Sequence, residues 1–376
     1  MNDRAMSRRN FVAGTVMTAG TVAAAGAAPQ VGKKAKAGAS AGNTGKILNY
    51  NPNMEYRRLG KTGLMVSAVC MGGHWKRLST MLGAGFKGDG GSAADTQNLR
   101  NPEFQKNRHD VLTRCMEVGI NYVDACSPQE ILAYRKALEG RRDKMYFGFS
   151  WHTREPRYTE WRSGKRLIEG LNQSLKEAGL DYVDLWRISL PQDRIADLGE
   201  LLQVEQATVE ALDHARQQGK ARFTGISTHN RTWLRSVIET YPNQMQAVLF
   251  PYTAGSKELP GDSVFDAIKK FDVGVFGIKP FADNSLFAGD SSLNSPHAAE
   301  DDRRARMALR YILSNPAITA PIPGMVNIHQ VDNAAQAVRE YRELDHKEKA
   351  ELDEATRRMW ANLRPSHQWL KDWEYV

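Results

Sequence analysis

The chain has 376 residues, of which 41% are apolar and 25% charged, the composition of a soluble globular protein with one large domain or two ordinary ones. Its formal charge of +8 is spread along the chain, with the clearest local excess in the lysine-rich stretch behind the N-terminus, so it is not read as a nucleic-acid footprint. Three cysteines, Cys70, Cys115 and Cys126, are too few and too scattered for a disulfide framework or an iron–sulfur cluster.

The N-terminal stretch "SRRNFVAGTVMTAGTVAAAGAAPQ" sets a twin arginine, Arg8 and Arg9, before Phe11. A weakly apolar Ala/Gly/Thr/Val run follows, then small residues around Ala25 to Ala28 where a signal peptidase would cut. The run is too short and too rich in alanine for a comfortable membrane span. Residues 1–28 are therefore expected to be a twin-arginine signal peptide. That makes the twin-arginine translocase a partner during export of the folded chain, and places the protein in the periplasm or another extracytoplasmic space. Residues 29–54 read as a linker, flexible and lysine- and glycine-rich over 29–46.

From Tyr56 onward a short apolar strand, a polar tip and an amphipathic helix recur. The strands read "VSAVCMGG" (66–73), "NYVDA", "MYFGFS", "YVDLWRIS", "RFTGIS", "AVLF", "VGVFGI" and "ITAPIPG", and each leads to a helical segment. In the fourth unit the helix is expected over "VEQATVEALDHARQQG". Gly119, Gly140, Gly179 and Gly219 fall where a left-handed helix C-cap is expected. The strands are apolar on both faces, as strands between a barrel core and a ring of helices should be. Eight such units predict an α/β fold, the (β/α)8 TIM barrel, over residues 55–345. A doubly wound sheet would carry a glycine fingerprint after its first strand, and none is present. Residues 346–376 form a helical and aromatic tail carrying Trp360, Trp369, Trp373 and Tyr375.

A barrel places its site at the C-terminal ends of its strands. In order, those tips carry His74, Trp75 and Lys76; Asp124, Cys126 and Glu130; Ser150, Trp151 and His152; Arg187 and Ser189; Ser227, Thr228 and His229; Tyr252; Lys279; and Gly324 with Met325. Ionisable groups at tip after tip predict a binding or catalytic centre. Two segments, "STMLGAGFKGDGGSAADTQN" and "ADNSLFAGDSSLNSPHAAEDD", are expected as long loops on that face.

The segments "YRRLGKTGLMVSAVCMGG", "GINYVDA", "GRRDKMYFG", "LDYVDLW", "GKARFTGIST" and "ALRYILSNPAITAPIPGM" together resemble aldo-keto reductases over about residues 55–340. The resemblance implies an N-terminal β-hairpin closing the bottom of the barrel, and reduction of a carbonyl with NADPH or NADH. It also implies a catalytic Asp, Tyr, Lys and His without metal. The family's Asp-Thr-Ala-x-x-Tyr-Gly aligns with residues 124–130. Asp124 is kept, Gln129 stands at the tyrosine, Ser150 at the lysine and Ser189 at the histidine. An amide does not titrate near neutral pH and cannot replace a phenol as proton donor. Tyr134 is expected to pack within its helix.

On the nucleotide side Ser227 matches the family serine, while Thr228, Leu249 and Ile278 replace an asparagine, a glutamine and an aromatic. The cofactor, NADP or NAD, would be held by Ser227, Thr228, Lys279, Gly324, Met325 and Asn333. The catalytic candidates are Asp124, Lys279, His152, His229 and Arg187. Asp124 would cap the next helix or pair with Lys279 or Arg187. Lys279 would bind phosphate, activate a carbonyl or act as a base lowered by Arg187. Cys126 reads as a small buried hydrophobe. Trp75, Trp151, Tyr252 and Phe281 would stack on a sugar ring or fill the rim. His74, His152, His229 and Asp124 are ingredients of a metal site, but no short ligand motif supports one and no metal is expected.

The expected protein is thus an exported aldo-keto-reductase-like oxidoreductase with a non-standard site, acting on a small carbonyl or sugar-like substrate. Two alternatives remain open: a lyase, isomerase or metal-assisted hydrolase on the same barrel, or a non-catalytic carbohydrate-binding pseudoenzyme.

Overall fold

The computed structural model describes residues 47–75, 77–83 and 98–376. The twin-arginine segment, most of the linker, Lys76 and the greater part of the glycine-rich insertion lie outside them. The expected barrel is present. Its strands are β3 (Met71–Gly72), β4 (Tyr122–Ala125), β5 (Tyr146–Phe149), β6 (Val183–Leu190), β7 (Ala221–Thr228), β8 (Ala247–Pro251), β9 (Gly274–Ile278) and β10 (Ala320–Ile322). They pair in parallel in that order. A parallel bridge between Gly72 and Gly324 joins the first strand to the last, with the Gly72 N–H donating to Pro323 O at 2.8 Å.

The expected hairpin is β1 (Tyr56–Arg58) with β2 (Met65–Ser67), paired antiparallel. It seals the N-terminal end, where the Lys61 N–H donates to Asp272 O at 2.7 Å just before β9 begins. The strand expected over 66–73 is therefore split between hairpin and barrel. Ser67 turns the chain by donating from its hydroxyl to Val69 O at 2.7 Å while its own N–H is held by Asn121 Oδ1 at 2.9 Å. Inside the barrel, hairpin residues Leu59, Leu64 and Val66 pack beneath Tyr122, Leu185, Leu249 and Phe276. The Tyr122 and Phe276 rings stack across the lumen with centroids 4.3 Å apart. A larger apolar layer fills the space between the strands and the helices.

The helices are α1 (Leu78–Leu82), α2 (Pro102–Glu117), α3 (Pro128–Ala137), α4 (Gly164–Ala178), α5 (Leu198–Gln217), α6 (Arg231–Thr240), α7 (Val264–Phe271), α8 (Ala298–Ser314), α9 (Ile328–Arg339) and α10 (His346–Ala361). Three that start beside the mouth are capped by Ser127, Asn230 and Asn327, each accepting an N–H of the first turn. Helix α5 begins at Leu198, ahead of the expected start at Val204, because Asp197 caps it by accepting from the Glu200 N–H. The expected helix-ending glycines all adopt positive φ.

The aromatic tail packs on the barrel itself. After α10 a 3-10 segment, Pro365–Trp373, crosses the mouth, and the last residues bond to the loop after β8 through the Leu259 N–H to Val376 O at 2.8 Å. Trp373 is fully buried, stacks on Phe250 at 5.3 Å and donates from Nε1 to His229 O at 3.0 Å.

Candidate active site at the barrel mouth

A cavity of about 1190 Å³ opens at the C-terminal ends of the strands. Asp124, His152, Arg187, Ser227, Thr228, His229, Lys279, Gly324, Met325 and Asn333 all border it, so every catalytic and cofactor-binding candidate named from the sequence reaches this one cleft.

Asp124 and Arg187 form a buried ion pair, with Arg187 Nε 3.2 Å from Asp124 Oδ2 and a closer contact from Nη2 to Oδ1. Of the three roles left open for Asp124, this is the one adopted. Ser127 caps α3 instead, and Lys279 faces His229 with their nitrogens 3.4 Å apart. The pairing depends on Gly148. Strand β5 lies between β4 and β6 with Gly148 opposite Asp124, and a Cβ there would overlap the Tyr122 hydroxyl and lie 2.5 Å from Asp124 Oδ2. Without a side chain in the way, Asp124 reaches across to Arg187. Burial opposes the charge on Arg187; Asp124 outweighs it, and the guanidinium stays ionised.

A second pair lies one strand away. Register sets Gly72 beside Asp124, so His74 and Cys126, each two residues on, stand side by side. Glu130 from α3 accepts at Oε1 from the His74 backbone N–H at 2.6 Å, and at Oε2 from the Cys126 N–H at 2.9 Å. His74 Nδ1 lies 2.8 Å from the same carboxylate. Gly73 makes room, since a Cβ would overlap that carboxylate. Burial alone would raise the Glu130 carboxyl, but His74 and the two N–H groups hold it at about 2. The Cys126 sulfur, 3.5 Å from both ring nitrogens, and the Glu130 carboxylate push the His74 imidazole up to about 10. The side chain of His74 is 40% exposed, so it reaches the cavity and solvent screens part of that shift. Cys126 is thus half-buried beside an imidazole, a departure from the buried hydrophobe expected.

His74, Cys126 and Glu130 hold potential metal-ligand atoms within 4.8 Å of one another. Both carboxylate oxygens already accept N–H donors, so the cluster is a hydrogen-bonded set complete in itself, and a cation would have to displace the His74–Glu130 bond.

His152 Nδ1 is 2.6 Å from Cys126 O, which makes it the protonated nitrogen and leaves Nε2 as an acceptor; burial lowers its pKa and keeps the ring neutral. At the positions aligned with the family lysine and histidine, the Ser150 hydroxyl and the Ser189 N–H donate to Glu155 Oε2 at 2.7 and 2.8 Å. Burial lifts the Glu155 carboxyl to about 7. His229 stacks on Trp369, centroids 3.8 Å apart, and desolvation together with the charges of Lys279 and Arg157 pushes its pKa far down.

Other expectations sort by burial. Tyr134 is fully buried and donates to Gly72 O at 2.5 Å, the packing role expected. Trp75, Trp151 and Tyr252 are buried and fill the rim; Phe281 borders the cavity. The loop between β9 and α8 does cover the catalytic face, tied down where Asp301 accepts from the Ala288 and Gly289 N–H groups at 2.8 Å each. On the nucleotide side, Thr228 donates to Gln192 Oε1 at 2.7 Å. Asn333 is engaged by α8, accepting from Arg306 and donating to Asp302 O at 3.1 Å. Glu155, Arg157, Arg231 and Trp369 were not among the sequence candidates. Glu130, read only as a tip residue, had one usable signal: it stands three residues after the helix-capping Ser127, where a glutamate reaches back toward the chain entering the helix.

The profile of the Aldo/keto reductase family matches residues 89–357. The chain is 25% identical over 316 residues to the L-galactose dehydrogenase of Arabidopsis thaliana, covering 77% of this chain and 90% of that one. It is 22% identical over 349 residues to the L-glyceraldehyde 3-phosphate reductase of Escherichia coli strain K12, covering 80% and 92%. The holo form of an aldo-keto reductase from Bacillus halodurans superposes with a TM-score of 0.55 at 22% identity, covering 80% of this chain and 96% of that one, a likeness of fold. The chain belongs to the aldo/keto reductase family of oxidoreductases.

Proposed function

We propose that this protein is an NAD(H)-dependent oxidoreductase that interconverts a carbonyl and an alcohol on a small sugar-like substrate, with His74 in place of the family's phenol. The observation that carries this reading is the His74–Glu130 pair, open to the cavity beside the buried Asp124–Arg187 pair. In this reading the active site is non-standard: one ion pair keeps the barrel floor electrically balanced, and the other presents a proton.

The cleft fits a nicotinamide dinucleotide. It runs from Asp124 past Ser227 and Lys279 to Asn327, Gln330 and Asn333, and its volume of about 1190 Å³ exceeds the ordinary small-molecule range. At the far end, Asp301, Asp302 and His329 border it, and among the described lining residues beyond Gly324 there is no lysine or arginine. Carboxylates there suit ribose hydroxyls and repel a 2′-phosphate, which favours NAD over NADP. Ser227, Thr228, Lys279, Gly324 and Met325 would hold the cofactor; Asn333, occupied by α8, would contribute shape.

When bound, the nicotinamide supplies or accepts the hydride. His74 holds a proton at the cavity wall, and Glu130 keeps its ring oriented. A pKa of about 10 resembles that of the phenol it replaces, so the proton is present at neutral pH and available to a developing alkoxide. His152 Nε2 offers an acceptor to a substrate hydroxyl, and Arg187, fixed by Asp124, offers donors to a carbonyl oxygen. The sugar-related names of the two relatives support a sugar-like substrate. Export belongs to the same proposal: the twin-arginine segment would send the folded chain, with its cofactor loaded, to the periplasm.

Titration of the signal-free protein with NADH and NADPH, followed by quenching of tryptophan fluorescence, tests the reading. Saturable NADH binding tighter than NADPH, with turnover of sugar aldehydes lost in His74→Gln, is expected. No binding of either at millimolar concentration would sink it.

A further inference from the structure

We propose that the wall of the cavity built from the loops after β5, β6 and β7 is an oxyanion subsite that seats a phosphate or carboxylate of the substrate, held by Arg157 and Arg231. Assigning the anion to the substrate rests on the oxidoreductase reading; the site itself rests on the following geometry.

Four cations line the mouth besides Arg187: Arg157, Arg194, Arg231 and Lys279. Arg187 is neutralised by Asp124, but among the described residues no carboxylate lies within ion-pair distance of Arg157, Arg194 or Arg231. Asp193 and Asp372 share the wall without pairing to these arginines, and Glu155 beneath it accepts from Ser150 and Ser189. Positive charge is therefore in surplus along this wall.

Hydrogen-bond accounting points the same way. The Nε atoms of Arg157 and Arg231 are buried without a partner, as is Nε2 of Gln192 in the loop between them. A buried donor left unpaired is costly, and such groups in native proteins almost always have an acceptor. Arg157, in the loop after β5, and Arg231, at the start of α6, both line the cavity, and Gln192 lies behind that wall. An oxyanion in the cavity would meet the outer guanidinium nitrogens of these two lining arginines, which it matches in a planar arrangement. The neighbouring His229 would be the wrong partner if charged, and burial, with the charges of Lys279 and Arg157, already keeps it neutral. Arg231 opens α6, whose N-terminal dipole adds to the attraction.

The test is a titration of the signal-free protein with inorganic phosphate and with acetate at constant ionic strength, against chloride, by calorimetry and by the fluorescence of Trp369, which lies over Lys279. Saturable binding of phosphate or acetate is expected, and the tighter of the two identifies the group. Each of Arg157→Gln and Arg231→Gln should weaken it about tenfold, and the double variant should abolish it. Arg157→Lys, which keeps the charge and loses the fork, should fall between wild type and Arg157→Gln and guards against a folding defect. Binding no tighter than chloride, or unchanged in the double variant, overturns the subsite. Competition between phosphate and NADH overturns its assignment to the substrate, since the cofactor's own pyrophosphate would then be the occupant. Loss of NADH binding alone, with anion binding intact, removes the oxidoreductase reading and leaves the anion site standing.

Discussion

Breaking the pair between Asp124 and Arg187 should cost more stability than removing it whole. Asp124 is 5% exposed and Arg187 4%, so either charge left alone would sit in the barrel floor with little water to solvate it. Losing one partner of such a pair costs about 3–5 kcal/mol, whereas replacing both with apolar groups of similar size is close to neutral. A domain this large unfolds with an entropy on the order of 0.7 kcal/mol/K, so each single change should lower Tm by roughly 4–7 °C. The assay is calorimetry with urea unfolding on Asp124→Leu, Arg187→Met and the double variant that carries both. The Tyr122 hydroxyl and the Asp124 carboxylate fill the space over Gly148, so the leucine would take the place the carboxylate leaves. The double variant should be more stable than either single, with a coupling energy of about 2 kcal/mol or more. If the two losses simply add, the pair is not acting as a unit and the electrostatic account of the barrel floor fails.

Glu155→Gln should remove a pH dependence. The carboxyl is raised to about 7, above its unfolded value of 4.5, so its contribution is present in full below pH 4.5 and lost as pH rises through 7, up to about 3 kcal/mol. The variant should gain stability over wild type between pH 5 and 8, and equal stabilities at both ends would refute the burial argument. For His74 the folded pKa also lies above the unfolded 6.5, so its contribution is complete below pH 6.5 and fades as pH climbs toward 10. An NMR titration of the ring that ends below pH 7 would contradict the partnership with Cys126 and Glu130.

The barrel was legible because its signals are local and repeated: buried strands, capping side chains, glycines closing helices at positive φ. The first strand was misjudged because "VSAVCMGG" is apolar throughout, and only Ser67, bonded to Val69 and Asn121, records that the chain turns inside it. The long-range partners were less visible. Trp369 lies 140 residues from His229 in sequence, and nothing local in "PSHQWLKDW" says that the tail returns to the mouth. Arg157 and Arg231 sit in loops where a surface arginine is unremarkable. Their significance is a missing acceptor, a property of three-dimensional packing alone.

The same limit explains the site. Reading a family motif position by position gives an expectation of what has left: by the resemblance Gln129, Ser150 and Ser189 stand where the phenol, the amine and the imidazole are expected. It would not detect a charge that has moved, as the proposed reading holds. Arg187 stands two residues before Ser189 on the same face of β6, and it meets Asp124 because Gly148 leaves the intervening strand bare. His74 enters from the neighbouring strand at the level of Cys126, and Glu130, one residue past Gln129, turns beneath Gly73 to meet it. In the proposed reading each move shifts a function by one strand or by one or two residues, which strand register and side-chain period can accommodate without disturbing the barrel. In the proposed reading the site still has one buried acid balanced by a cation and one titrating donor at the cavity wall. What has changed is which positions supply them, so a substrate-free measurement on each pair separately is the direct way to separate a rebuilt centre from a lost one.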